Sequence, residues 1–189
     1  MTKETDWEVL KDLWRNCQRC PLKNSRSRVV FGHGNIDASI VLIGEAPGRN
    51  EDEGGKPFIG RAGELLTKIC KALDLDREND LWITNTCLCR PKNNRTPTKQ
   101  EVKACRGRLE EELKIIDPDV VVLMGNTPLL AFTGKTGITK MRGRISRPHE
   151  SNMPWTVYAT YHPAALLYDQ SKKPDAWKDW QAIAGELNE

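Results

Sequence analysis

The sequence predicts a three-layer α/β/α fold in which a central four-stranded parallel sheet lies between two layers of helices. Four short apolar runs of strand length alternate with segments whose apolar residues recur at helical spacing. Such alternation is typical of parallel sheets covered by helices on both faces. A length of 189 residues fits one compact domain, and no internal repeat or long linker divides the chain. We therefore expect a single domain over residues 1–189.

The chain begins with a predicted helix and a predicted buried strand. Thr5 and Glu8 have the spacing of a capping box. The helix that follows would end at Cys17 and bury Trp7, Leu10, Leu13 and Trp14 along one side. The β-rich run over residues 38–43 has the length and composition of a strand that is buried on both faces.

The middle of the chain repeats this pattern. An apolar helical periodicity starts at Ala62 and precedes a strand over residues 81–85, which together complete one βαβ unit. A second capping box over residues 98–101 opens a helix that Pro118 closes. The run over residues 119–124 is the third predicted strand.

The last third of the chain supplies the remaining elements. A short helix is predicted from Pro128, then a basic loop, then the fourth strand over residues 156–161. A final helix begins at about Pro174 and is predicted to turn three apolar residues inward: Trp177, Trp180 and Ile183.

Composition excludes several classes of protein. The chain has 29 basic and 26 acidic residues and a net charge of +3, which excludes a histone-like polycation. A hydrophobic fraction of 38% is too high for a disordered chain, and no apolar run approaches the ~20 residues of a bilayer span. The first residues are polar and acidic, unlike a secretory signal or a transit peptide. We expect a cytoplasmic protein with no membrane partner.

Unusual segments follow all four predicted strands, at residues 44–66, 85–98, 125–134 and 162–168, and the first of them is rich in glycine. Ligands of open α/β sheets bind at the carboxyl ends of the strands, so these segments should form one rim. The first segment lacks the spacing of a phosphate-binding loop, and its acids, including Glu45 and Glu51, would repel a phosphate. A neutral, flat ligand stacked on Phe58 fits this loop better.

His162 directly follows the last predicted strand and precedes a proline. One interpretation is a structural histidine with its hydrogen bonds satisfied inside the fold. The other is a catalytic or ligand-orienting imidazole, because this position would face the same rim as Asn85 and Glu45.

The six cysteines fall into a Cys17-x-x-Cys20 pair, a second pair formed by Cys89 and Cys105, and two remaining residues. Disulfides are not expected in a reducing cytoplasm. One interpretation of Cys89 and Cys105 is two ordinary buried thiols, which a neighbouring Cys-x-x-Cys pair disfavours. The other is that four thiolates form a closed metal site that attaches the first helix to the middle of the chain. Structural zinc and an iron–sulfur cluster both use four thiolates, and the spacing does not choose between them. The remaining Cys70 lies on an apolar helix face and is predicted to be in the core.

Positive charge is concentrated in two runs. Seven basic residues and one acid lie between Arg90 and Arg108, and five basic residues and no acid lie between Lys135 and Arg147. Such runs often form a solvated face. Because both flank the predicted rim, they also suit a track for a phosphate backbone.

These motifs together resemble the family 4 uracil-DNA glycosylases, the iron–sulfur branch of their superfamily. The resemblance rests on GEAPGRNEDEGGKPFIGRAGELL, NTCLCRPKNNRTP and YHPAALL in this order, with cysteines at 17, 20, 89 and 105. It implies a 4Fe-4S cluster, rather than zinc, held by those four cysteines, and a structural role for the cluster. It leaves Cys87 and Cys70 outside the ligand set.

The resemblance also implies roles for the residues of the pocket. Phe58 would stack on an extruded uracil, Asn85 would read its O4 and N3 edge, and His162 would hydrogen-bond O2 as the glycosidic bond breaks. The side chains of Glu45 and Ala46 would form the pocket wall. Leu166 would fill the place that the base leaves in the duplex.

The resemblance also bears on which residue activates the attacking water, because the usual aspartate is absent from this sequence. The best-known branch of the superfamily carries that aspartate at the position of Ala46. Asn94 would position the water here, with Glu51 assisting electrostatically or as a base. Tyr168 stands where relatives often carry an arginine, which removes one expected phosphate contact.

The expected function is therefore that of a monofunctional DNA glycosylase. It would release free uracil from single- or double-stranded DNA, act as a monomer and leave an abasic site. The alternative is a catalytically silent DNA-binding accessory domain of the same fold.

Overall fold

A six-stranded mixed sheet forms the centre of the computed structural model, which describes residues 2–145 and 154–188. The strands are β1 His33–Gly34, β2 Ile40–Gly44, β3 Leu81–Asn85, β4 Val120–Met124, β5 Gly143–Arg144 and β6 Thr156–Thr160. Their order across the sheet is β1-β3-β2-β4-β6-β5. The four predicted strands are the parallel centre of this sheet.

The sheet is nevertheless larger than the predicted four strands. β1 and β5 pair antiparallel with β3 and β6, the two outer strands of the parallel centre. Each of these edge strands has only two residues. A pair of residues carries no alternation or apolar run, so sequence patterns cannot detect such strands.

Helices cover the sheet on both faces. They are α1 Lys3–Trp14, α2 Arg49–Gly54, α3 Arg61–Ala72, α4 Lys99–Ile116, α5 Asn126–Thr133, α6 Ile138–Met141, α7 Pro163–Tyr168 and α8 Lys173–Gly185. Every residue of β2, β3 and β4 is buried, which requires cover on both sides and confirms the three-layer class. None of the described helices is both long and apolar enough to cross a membrane.

Three local predictions were wrong at the helix level: the start of α1, the burial of Leu13, which is 71% exposed, and the burial of Trp177. α1 begins earlier than expected because Thr2 is its N-cap, accepting a hydrogen bond from the Thr5 amide. Trp177 is 37% exposed, since α8 turns Ala176, Trp180 and Ile183 toward the core instead. The capping box at Thr98 and Glu101 is confirmed, with the two residues bonding reciprocally.

The carboxyl ends of the parallel strands meet at one edge of the sheet. β2 and β3 end side by side, with Gly44 paired to Asn85. β4 and β6 end together at Met124 and Thr160. The segment that leaves each strand therefore starts from a common rim, which brings residues far apart in the sequence into one site.

Candidate active site

A cleft of about 420 Å³ opens at this rim. Its lining comes from three of the segments that follow strands, and it includes Glu45, Ala46, Arg49, Glu51, Phe58, Arg61, Asn85, Asn94, Arg95, His162 and Tyr168. The structure thus brings together seven of the eight predicted pocket residues. It does not bring the eighth, Leu166, into the lining.

Asn85 lines the cleft and is almost completely buried. It is the last residue of β3 and is 3% exposed. The buried guanidinium of Arg108 donates to its backbone carbonyl over 2.7 Å, which fixes the strand end. Across the ladder, Gly44 has no side chain, and a Cβ there would lie 2.5 Å from both Asn85 Oδ1 and Phe58 Cζ. The space beside the Asn85 amide exists because residue 44 is glycine.

Phe58 forms one wall of the cleft and has an unusual backbone. Its φ is 52°, in the left-handed region that non-glycine residues seldom occupy. The ring centroid lies 5.5 Å from that of His162, with 30° between the planes. A flat heteroaromatic ligand could therefore stack on Phe58 while meeting the imidazole at its edge.

His162 is held in one tautomer by the start of α7. It is the N-cap of this helix, and its Nδ1 accepts a hydrogen bond from the Ala164 amide over 3.1 Å. Burial lowers the pKa of His162 to about 4, although the carboxylate of Glu51 acts in the opposite direction. The ring is therefore neutral at pH 7 and carries its proton on Nε2. A neutral imidazole in this state offers a hydrogen-bond donor to a ligand oxygen.

The two glutamates of the cleft have different partners. Thr127 donates its hydroxyl hydrogen to Glu45, which sequence patterns gave no reason to expect. Both oxygens of Glu51 accept backbone amides, from Gly48 over 3.1 Å and from Ile59 and Gly60 over 3.1 and 2.8 Å. Glu51 therefore ties the loop together, and its oxygens are already committed as acceptors.

Asn94 and Leu166 lie in contrasting places. Asn94 is exposed at the mouth of the cleft, and its Oδ1 accepts from Arg90 Nε over 2.8 Å. Leu166 is 2% exposed and packs in the hydrophobic core. The six residues of α7 turn position 166 inward, whereas Tyr168 at the end of the helix is 92% exposed. A buried side chain does not match the predicted insertion into a duplex.

The four predicted ligand cysteines line one cavity between the first helix and the middle of the chain, together with Cys87. Cys70 is buried in the main core, as predicted. No disulfide joins any of the six cysteines. Within residues 2–145 and 154–188, no group of three or more His, Cys, Asp or Glu side chains is gathered closely enough to hold a metal ion.

Two arginines direct N–H groups at sulfur atoms in this cavity. Arg26 donates to Cys89 Sγ over 3.1 Å, and Arg108 donates to Cys105 Sγ over 3.8 Å. A hydrogen bond from Cys87 lowers the pKa of Cys105, and the charge of Arg108 acts in the same direction. Thiolates are the ligands that iron–sulfur clusters use, and hydrogen bonds to sulfur tune such clusters. The chemistry of this donor set fits a thiolate-bound group.

The basic runs are only partly available to a ligand. Arg108 is fully buried against Glu112, and Arg142 pairs with Asp175 and Asp179. Arg147 lies outside the described residues. Buried or paired members of these runs therefore serve the fold.

Three arginines line the cleft itself: Arg49, Arg61 and Arg95. Arg49 and Arg61 lie at the starts of α2 and α3, outside both basic runs. No clustering in the sequence marked them, because each stands among acidic or glycine residues.

Comparison with known proteins identifies related chains. The family model of the uracil DNA glycosylase superfamily matches residues 31–183. A type-4 uracil-DNA glycosylase of Thermotoga maritima is 42% identical over 91% of this chain and 88% of its own length. Type-4 uracil-DNA glycosylases of Archaeoglobus fulgidus and Pyrobaculum aerophilum are 40% and 35% identical, each over 95% of this chain and 94% of their own lengths.

Proposed function

This chain belongs to the uracil-DNA glycosylase superfamily, and we propose that it is a monofunctional type-4 uracil-DNA glycosylase of base excision repair. It hydrolyses the N-glycosidic bond of deoxyuridine in DNA and leaves free uracil and an abasic site. The observation that carries the proposal is the convergence of Phe58, Asn85 and a neutral His162 on one cleft. These groups match a stacked face, a polar edge and a carbonyl oxygen of one pyrimidine.

Uracil enters the cleft only after it leaves the base stack. A duplex buries the glycosidic bond, so the nucleotide must rotate out before any enzyme group can reach it. In the cleft, the Phe58 ring takes over the stacking that the base loses. The Asn85 amide accepts from N3–H and donates to O4, a pattern that cytosine would reverse at both positions.

His162 stabilises the departing base. As the bond between C1′ and N1 breaks, its electron pair passes to uracil and spreads onto O2. The Nε2–H group of His162 donates to O2 and strengthens its hydrogen bond as this charge grows. Because Ala164 already donates to Nδ1, the ring needs no reorganisation during the reaction.

Water completes the reaction at C1′. The sugar becomes oxocarbenium-like before much bonding to water, so orientation of the water matters more than strong deprotonation. Asn94 accepts from Arg90 through Oδ1, which leaves its Nδ2 to hold the water. Glu51 contributes negative charge near the cationic sugar, while its amide contacts argue against its acting as the base. Uracil leaves as the N1 anion and the proton that water loses passes to the solvent, so the charges of the two products balance.

The cleft arginines suit the phosphates on either side of the extruded nucleotide. Arg49 is largely exposed and Arg95 is partly so, although each also contacts an acid, Glu53 and Glu101. We propose single- or double-stranded DNA that contains uracil as the partner of a monomeric protein. A reducing compartment, the cytoplasm, suits the six free thiols.

We propose that Cys17, Cys20, Cys89 and Cys105 hold a 4Fe-4S cluster. Support comes from their shared cavity and from the N–H groups that Arg26 and Arg108 direct at sulfur. When bound, the cluster supplies cross-linking between α1 and the segment that follows β3. The residues of the chemical step line the cleft at the rim of the sheet. Arg108 connects the two sites, because it donates to the Asn85 carbonyl at the cleft and to Cys105 Sγ in the cysteine cavity.

The experiment is a glycosylase assay on one oligonucleotide sequence. Uracil or hypoxanthine stands at a fixed position in single- and double-stranded form, and thymine stands there in a mismatched duplex. The protein is purified anaerobically with its cluster. We expect free uracil and an alkali-labile site at the uracil position. Absence of an abasic product from cluster-loaded protein would reject the proposal and favour a non-catalytic DNA-binding domain.

A further inference from the structure

Arg77 holds the backbone that carries Phe58. It lies in the turn between α3 and β3 and is half-buried. Its guanidinium donates to the carbonyl of Phe58 over 2.8 Å and to that of Pro57 over 3.1 Å. It also donates to Thr67 Oγ1 on α3 over 2.9 Å. One side chain thus ties two consecutive carbonyls of the loop to a rigid helix.

The position of the Phe58 ring depends on this loop keeping a strained conformation. A positive φ at a phenylalanine persists only where the surroundings hold it in place. Close packing contributes, because a Cβ at Gly63 would lie 1.9 Å from the Phe58 carbonyl oxygen. That carbonyl therefore sits directly against α3, where Arg77 reaches it.

Charged groups hold the loop from two sides. Arg77 binds the carbonyls of residues 57 and 58, and Glu51 accepts the amides of residues 59 and 60. The backbones of four successive residues, 57–60, which include Phe58 itself, are therefore held by side-chain hydrogen bonds. Arg77 itself does not line the cleft, so it has no direct contact with the base.

We propose that Arg77 is a positioning residue for uracil recognition, acting through the Phe58 backbone to hold the ring against the extruded base. This inference rests on the proposed function. A planar guanidinium fork reaches two carbonyls at once, which a lysine ammonium on a flexible stem cannot do as well. Loss of the fork would let Phe58 relax from its φ of 52° toward negative φ and move its ring.

The test compares Arg77→Met with the wild type in single-turnover uracil release and in inhibition by free uracil. We expect kcat/KM to fall about tenfold and the inhibition constant for uracil to rise by a similar factor, because both depend on the stacking platform. Arg77→Lys retains the charge and most of the packing, so it should lose less. It also keeps the test valid should the methionine variant fold poorly.

A double-mutant cycle shows whether Arg77 acts through Phe58. In a Phe58→Ala background, Arg77→Met should cost less than about twofold, because the ring that it positions is gone. Leu75→Ala is the control: Leu75 is buried in the same turn, and no hydrogen bond joins its side chain to the loop. It should lower the melting temperature while leaving uracil inhibition unchanged.

The outcomes separate the two proposals. Wild-type activity with equal losses from Arg77→Met in both backgrounds would overturn the positioning role and leave the enzyme assignment intact. The same holds if Arg77→Met has no effect. Failure of the wild type to release uracil would reject the proposed function. Binding of free uracil to the wild type and to Arg77→Met, measured by calorimetry, would then decide the role of Arg77: equal affinities would overturn it.

Discussion

Replacing Gly44 with alanine should close the space beside the Asn85 amide. The new Cβ would lie 2.5 Å from Asn85 Oδ1 and 2.5 Å from Phe58 Cζ, whereas ordinary contacts begin at 3.4 Å. Relief of this overlap requires a shift of about 0.9 Å at both atoms. The backbone of Gly44 lies in an ordinary strand ladder, so the substitution acts through the side chain alone.

A displacement of this size is large on the scale of catalysis. Misplacement by ~1 Å costs about 10²-fold in rate, which corresponds to about 2.7 kcal/mol of barrier. We therefore expect Gly44→Ala to lower kcat/KM for uracil release about a hundredfold, measured on a single-stranded oligonucleotide so that base extrusion is not limiting. Thermal unfolding would establish that the variant is folded.

The matched control is Gly107→Ala. Gly107 lies within α4, and a Cβ there would meet nothing within 4 Å. This variant should keep full activity and gain a little stability, because alanine favours helices over glycine by ~1 kcal/mol. If Gly44→Ala retained activity within about threefold, the Asn85 amide and the Phe58 ring would not form the uracil-binding part of the cleft.

Three further predictions concern other parts of the protein. Tyr168→Ala should lower uracil release from duplex DNA about tenfold and leave release from single strands unchanged, because an exposed aromatic ring beside the cleft can stack in the gap that the extruded base leaves. The control Trp177→Ala should change release from neither substrate. An equal loss of Tyr168→Ala activity on both substrates would contradict this role. The pH profile of kcat/KM should show no ionisation of His162 near pH 6.5. Activity should fall only toward pH 4, where protonation of Nδ1 would break its hydrogen bond from the Ala164 amide. Because the pKa of His162 is lower in the folded than in the unfolded protein, His162 also makes the free energy of unfolding decrease as pH falls from about 6.5 to 4. An acid limb at pH 6.5 that disappears in His162→Gln would refute the neutral ring. Wild-type protein purified anaerobically should be brown with about four irons per chain, and Cys105→Ser should lose both while Cys70→Ala keeps them; a colourless wild type with one zinc would reject the cluster.

The sheet was predictable where burial leaves a pattern. A short strand that is buried on both faces is mostly apolar, and the apolar runs of β2, β3, β4 and β6 made these strands visible in the sequence although β3 and β6 also contain buried polar residues. The two-residue edge strands leave no such pattern. A capping box likewise identified the start of α4, but Thr5 misled at α1 because Thr2 offers the same chemistry three residues earlier.

The site was predictable in its residue types and less so in its geometry. Asn85 and His162 could be predicted because they lie at the carboxyl ends of predicted strands, where the ligands of such sheets bind. The burial of Leu166 depends on how a helix of six residues faces the core, which no local pattern specifies. Arg77 is one charged residue in a polar turn, and only the folded chain shows that it binds the carbonyls beside Phe58.

The most direct measurement is single-turnover release of uracil by the wild type, His162→Ala and Asn85→Ala on the same oligonucleotide. Both variants should fold and keep their cluster, because neither residue contributes to the cysteine site. We expect stoichiometric free uracil from the wild type and a loss of about 10²-fold or more in each variant. Unchanged release by both variants would contradict the assignment of this cleft as the active site.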